Sequence, residues 1–325
     1  MKGRASAPAK VILLGEHFVV YGKPAIVVAI DRRAHATARL RSDKAIYIRS
    51  NDLGVSGYFF DGKFEAEEGG PEAEGKLRPV ETVVRRLMNS AGTRAGVTLE
   101  ITSTIPVEAG LGSSAAVAVA SVAAVSSILG LDLSPDEMFN LAYDAERLIH
   151  GTPSGIDPAV STYGGTLRYV KGKGITRLNV NVDLQLVIGN TGIPRSTGKL
   201  VGKVRELGNK HPTILNSILE SSERMVEEAV KAMKSQDLET LGELMNIDQG
   251  LLSAVGVSHC MLERLIYAAR DAGAYGAKLT GAGGGGCMVA LAPQGRVEDI
   301  VKAITDAGGE AFTAKKTEEG VRFEG

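Results

Sequence analysis

Four short segments of this chain carry residue types whose spacing could do chemistry, and the clearest is 106–116, PVEAGLGSSAA. Gly110, Gly112, Ser113 and Ser114 stand directly before an uncharged, alanine-rich run from Ala115 to Leu129. A loop with little side chain lets backbone N–H groups approach an anion, and a helix N-terminus adds partial positive charge there. The pattern predicts an anion site suited to phosphates. The competing expectation is a glycine turn ahead of a buried helix with a serine N-cap.

The second segment runs from Pro8 to His17, with Lys10 inside an apolar stretch and Glu16 and His17 just after Gly15. A solvated lysine and a polar turn would explain the same residues. In the third, Met138, Leu141, Ala142, Ala145, Leu148 and Ile149 fall on one helical face, with Glu146 on its flank. That carboxylate is either a surface group or one aimed into a cleft. Asp157 precedes Pro158, so its plain expectation is a helix N-cap with proline at the first helical position. The fourth segment, Lys278 to Cys287, is KLTGAGGGGC. Gly281, Gly283 and Gly286 satisfy G-x-G-x-x-G literally, but 287–291 reads as a strand where that fingerprint needs a helix. A Rossmann dinucleotide site is therefore excluded, and the glycines fit a backbone packed on a phosphate loop or substrate.

These segments need elements to hold them. Strands are expected over Pro8–Leu14, Ala25–Ile30, Ala34–Leu40 and Ala45–Arg49. Residues 65–76, acidic and glycine-rich, read as a mobile surface loop, followed by a helix over Pro79–Ser90 and a strand over Val97–Thr102. Ser134-Pro135-Asp136-Glu137 is a capping box opening a helix to about His150. Strands over Gly164–Tyr169 and Leu184–Asn190 bracket the middle. Helices follow over Thr213–Ser235, Leu238–Gly250, Ser258–Gly273 and Val297–Ala307, with strands over Gly276–Leu279, Gly286–Leu291 and Ala311–Lys315.

Composition sets the outer bounds. The 325 residues suit two domains or one large one, 44% are hydrophobic and 23% charged. A net charge of −1 gives no sign of a nucleic-acid or membrane surface. Cys260 and Cys287 are too few for a disulfide framework and fit a reducing cytoplasm, with no N-terminal signal pattern. The Ala115–Leu129 run is short and small-sided for a membrane span and reads as a buried helix. Forty glycines are nearly double the usual share of roughly 7%, and they cluster.

PVEAGLGSSAA, PAKVILLGEHFVVYGKPAI and KLTGAGGGGC resemble, in order and spacing over essentially the whole chain, the three motifs of the GHMP family of small-molecule kinases. Within the family, ERLIHGTPSGIDPAVSTYGG and the run Asn190 to Thr197 are similar to the branch whose acceptor is mevalonate. Pro158, where eukaryotic members usually have Asn, and the shorter chain resemble the archaeal or bacterial type. The resemblance implies a two-domain α+β fold, divided near residue 180 into 1–180 and 181–325. The N-terminal, nucleotide-binding domain would contain a left-handed βαβ crossover, the C-terminal domain would be ferredoxin-like, and the active site would lie in the cleft between them.

It also implies ATP-dependent phosphorylation of the mevalonate C5 hydroxyl. ATP phosphates would lie over Pro106, Gly110, Leu111, Gly112, Ser113, Ser114 and Ala115. Ser114 and Glu146 would hold Mg²⁺, Asp157 would act as base, and Lys10 would stand beside it countering charge. Glu16, His17 and Arg195 would grip the acceptor, Arg195 by pairing with its carboxylate. Gly281, Ala282, Gly283 and Gly284 would form a glycine loop near the active site. Such a chain is compatible with a homodimer. The alternatives are a family member acting on phosphomevalonate, homoserine or a sugar, and a catalytically silent ligand-binding relative.

Overall fold

Alternating apolar runs build two antiparallel-rich sheets, and the glycine–serine segment lies over the first. The computed structural model describes residues 2–106, 109–150, 154–194 and 197–325, with residues 148–150 in backbone only. The first part of the chain forms β1 (Lys2–Leu14), β2 (Pro24–Leu40), β3 (Ile46–Ser50), β4 (Val55–Phe60), β5 (Lys63–Glu68), α1 (Ala73–Ser90) and β6 (Val97–Ser103). Next come α2 (Ser113–Leu129), α3 (Pro135–His150), α4 (Ile156–Tyr163), β7 (Thr166–Val170) and β8 (Gly174–Leu178). The remainder holds β9 (Gln185–Asn190), α5 (Thr197–Lys210), α6 (Pro212–Ser235), α7 (Leu238–Ala254), α8 (Cys260–Asp271), β10 (Gly276–Leu279), β11 (Cys287–Leu291), α9 (Val297–Asp306), β12 (Glu310–Lys315) and β13 (Arg322–Phe323).

The first sheet runs β13-β1-β2-β6-β3-β4-β5. β2 is long enough to take two partners in succession, β7 along residues 24–28 and β6 along residues 34–40. β3 lies parallel to β6, with β4, β5 and α1 between them in the chain. The second sheet, β10-β11-β9-β12, is antiparallel throughout, and its β9-α-β10-β11-α9-β12 connectivity is ferredoxin-like. α2 packs on β1 and β2, and its small residues permit close approach: a Cβ on Gly3 would stand 2.4 Å from the Ala124 carbonyl oxygen. The helix is buried almost all round, and no helix among the described residues is long and apolar enough to cross a membrane.

Several expectations need correction. Asp31, Arg32 and Arg33 do not break β2, because Arg33 is buried with its donors satisfied by Ser6 Oγ at 2.8 Å, Ser6 O at 3.0 Å and Gly320 O at 2.6 Å. Residues 65–76 are not a loop. Lys63–Glu68 is an exposed edge strand whose charges deter further pairing, and α1 already begins at Ala73, six residues before Pro79. α5 and the short strands β4, β8 and β13 had no expectation. The Ser134 capping box forms as expected, with Glu137 N donating to Ser134 Oγ at 3.3 Å and Ser134 N to Glu137 Oε2 at 2.8 Å. The α3 face is buried at Met138, Ala142 and Ala145, while the side chains of Leu148 and Ile149 lie outside the described residues.

Candidate active site

The site begins with a strand residue that cannot reach water easily. β1 places Lys10 against the glycine–serine loop, with Lys10 N donating to Leu111 O at 2.9 Å. Its Nζ stands 3.1 Å from Asp157 Oδ1, the two side chains being 5% and 30% exposed. Asp157 is not the N-cap of α4. That position belongs to Gly155, at φ 79° in the left-handed region, and Asp157 sits in the first turn. Ser154 Oγ accepts the Ile156 N–H at 3.3 Å, so the carboxylate of Asp157 is left for Lys10. Farther along α4, Ser161 Oγ donates to Pro8 O at 2.9 Å, which ties this helix to the strand carrying Lys10.

The glycine–serine segment closes over that pair. Gly112, at φ 77°, is the N-cap of α2 and makes no side-chain cap, so the serine-cap expectation fails. A Cβ at Gly112 would stand 3.0 Å from Lys10 Cγ and 3.6 Å from Asp157 Oδ2. Glycine here serves both the backbone conformation and the close approach. Ser113 and Ser114 open α2, so their N–H groups have no intrahelical acceptor. Leu111 and Ala115 are buried supports, and Ser114 is exposed. Pro106 lines a polar recess of about 400 Å³ with Asp52, Ser103, Thr104, Asn190 and Glu310. Val107, Glu108 and the segment Gly151–Pro153 lie outside the described residues.

Glu146 is only 9% exposed, and its Oε2 is buried without a hydrogen-bond partner. Burial, then the negative charge of Asp157, push its carboxyl up to about 8, against the opposing pull of Lys10. An unpartnered buried carboxylate oxygen is costly. A hard cation with oxygen ligands would relieve that cost, and α3, which carries Glu146, packs on α2, which carries Ser114. Glu146 Oε2, buried and unpartnered, is a donor of the kind Mg²⁺ takes.

Glu16 and His17 face other partners. Glu16 forms a buried ion pair with Lys278, whose Nζ also stands 3.3 Å from Asp248 Oδ2. Burial raises both carboxyls, Glu16 to about 8. His17 Nε2 is 2.7 Å from Ala282 O. The glycine loop packs closely on its own chain: Gly283 leaves 2.1 Å from its Cβ position to Val257 O, and Gly285 leaves 2.5 Å to Ile193 O. Gly281 and Gly284 share the positive φ of this turn, and Gly284 N donates to Val257 O at 2.8 Å. Arg195 lies outside the described residues. The expected functional set omits Lys278 and Asp248, although a signal exists. Asp248 shares a helical face with Leu241, Met245 and Leu252, where a charge has no solvent to meet.

Comparison with known proteins places the chain in a family. The model of the GHMP kinases N terminal domain matches residues 78–165, and that of the GHMP kinases C terminal matches residues 229–310. The chain is 48% identical to a mevalonate kinase of Thermococcus onnurineus and 47% identical to one of Thermococcus sibiricus, each match covering 100% of this chain and 99% of the relative. Among solved structures, L. major mevalonate kinase in complex with R-mevalonate superposes with a TM-score of 0.85 at 28% identity, covering 98% of this chain and 97% of that one.

Proposed function

Because the chain belongs to the GHMP kinase family, we propose that it transfers the γ-phosphoryl group of ATP to the C5 hydroxyl of R-mevalonate, yielding 5-phosphomevalonate. The observation that carries the mechanism is the Lys10–Asp157 contact pressed beneath Gly112. Phosphoryl transfer is chiefly a matter of positioning and charge stabilisation, with a group to take the alcohol proton. Asp157, partly exposed beside the loop, accepts the hydroxyl proton as the oxygen attacks. Lys10, 3.1 Å from that carboxylate, counters the charge that develops on the transferring group. The first N–H groups of α2, which have no intrahelical acceptor, cradle the phosphates.

Glu146 and Ser114 would hold Mg²⁺, which supplies charge neutralisation on the phosphate oxygens when bound. The polar recess beside Pro106 offers room for the nucleoside. A second cavity of about 580 Å³ next to Gly155 is lined by aromatic and aliphatic side chains together with Ser154 and Arg177, and neither substrate is assigned to it. The cysteine content fits a cytoplasmic enzyme.

The test is ADP formation with a panel of R-mevalonate, 5-phosphomevalonate, homoserine and galactose, in Mg·ATP. R-mevalonate should give a kcat/KM at least a hundredfold above the others. A higher kcat/KM with any other alcohol overturns the substrate assignment, and no turnover with any of them favours the silent relative.

A further inference from the structure

The six residues that follow Lys10 along β1 and its loop are bound to the second sheet by an unusual density of buried polar links. Ile12 N donates to Thr280 Oγ1 at 3.0 Å, and Thr280 Oγ1 donates back to Ile12 O at 3.2 Å. Gly15 N donates to Asp248 Oδ2 at 3.4 Å, and Lys278 Nζ pairs with Glu16 while donating to Leu279 O at 2.7 Å. The three charged side chains are 0–1% exposed and come from three elements: the loop after β1, α7 and β10. Two carboxylates meet one ammonium, and Glu16 Oε2 and Asp248 Oδ1 remain without hydrogen-bond partners.

Such a cluster is a poor way to gain stability, because desolvating the charges offsets most of their attraction and an apolar set of equal volume often does as well. What an ion cluster does supply is one allowed geometry, since a displaced partner leaves a bare buried charge. We propose that Glu16, Lys278 and Asp248 are positioning residues, a charged clasp that fixes the end of β1 to the second sheet and so sets where Lys10 meets Asp157 and the phosphate loop. On this view Glu16 acts through β1 and does not touch the acceptor. Its carboxylate is enclosed, and its charged partners are Lys278 and Asp248. Burial raises the carboxyls of both Glu16 and Asp248, which lowers the cost of keeping two acids beside one lysine in a dry interior.

The inference rests on the kinase reading for its rate readout, and a second readout does not need that reading. The triple variant Glu16→Gln/Lys278→Met/Asp248→Asn keeps side-chain size while removing every charge. It should fold with a Tm within a few degrees of wild type, lose tenfold or more in kcat, and keep the KM for ATP within about threefold. Hydrogen exchange at the Gly15 amide should accelerate. The single variants Glu16→Gln and Asp248→Asn each leave Lys278 a neutral acceptor, so they carry the test should the triple variant fail to fold. Their kcat should fall two- to fivefold at unchanged mevalonate KM, with faster Gly15 exchange. Wild-type kcat and exchange in these variants would reduce the cluster to filling. A tenfold rise in mevalonate KM for Glu16→Gln, with Asp248→Asn silent, would instead make Glu16 a substrate contact. If wild-type enzyme phosphorylates no alcohol of the panel, the kinase reading fails, while Gly15 exchange still decides the clasp.

Discussion

Two lysine–carboxylate assemblies lie within a few residues of each other along β1, and solvent access separates their roles. In the first, Lys10 is buried but Asp157 keeps 30% of its side chain exposed, beneath a glycine loop at the N-terminus of α2. In the second, Glu16, Lys278 and Asp248 are enclosed together, and every polar contact they make is internal. In the proposed roles, the same pair of functional groups exchanges a proton with a ligand in one place and holds a shape in the other. A charged residue beside a motif is thus a candidate for chemistry only when some part of it can be reached.

The largest test of that contrast is Asp157→Asn. The amide cannot take a proton at neutral pH, so kcat should drop by about 10² or more while ATP binding persists. The melting temperature should stay near wild type, because the α4 cap is Gly155 and no cap bond is lost. Wild-type turnover in this variant would make the Lys10–Asp157 pair as structural as the buried cluster.

A smaller effect is expected at Glu146, the carboxylate between the two extremes of exposure. Glu146→Gln removes an anionic oxygen from the donor set, and the Mg²⁺ concentration for half-maximal activation should rise on the order of tenfold. Circular dichroism should be unchanged. An unaltered Mg²⁺ titration would return Glu146 to the plain buried-acid reading.

The smallest effect concerns stability against pH. Below about pH 4.5 both the folded and the unfolded chain carry the Glu16 proton, whereas between 4.5 and about 8 only the folded chain does. Unfolding then releases a proton, so the stability due to this group is complete at acid pH and is lost as pH rises toward 8. Glu16→Gln removes that titration, and its Tm should decline less than wild type between pH 6 and 8.5. Parallel curves for the two proteins would show that the enclosed cluster carries no proton.

Much of this was legible in the residues themselves. The Gly110–Ser114 loop, the small-sided helix after it and the Ser134 capping box are local, and their geometry follows from backbone preferences within a few residues. Other features were hidden because the partners that satisfy them lie outside the segment itself. Asp31 and Arg33 look like a strand break until Ser6 and Gly320, distant in sequence, satisfy the guanidinium. The glutamates of Lys63–Glu68 look like loop until β4 pairs with them.

By itself the sequence determined the identity of the chemical groups and the elements that carry them: the glycines that can adopt positive φ, the apolar periodicity of α3, and a lysine, a serine and two acids at fixed places along the chain. Only the tertiary structure decided which charge answers which. Asp157 reads as a cap until Gly155 takes that place and the carboxylate turns to Lys10, and nothing along the chain marks Lys278 and Asp248 as the groups that surround Glu16. The physical reason is that burial and Coulombic partnership belong to three-dimensional neighbours, while backbone preference belongs to neighbours in sequence.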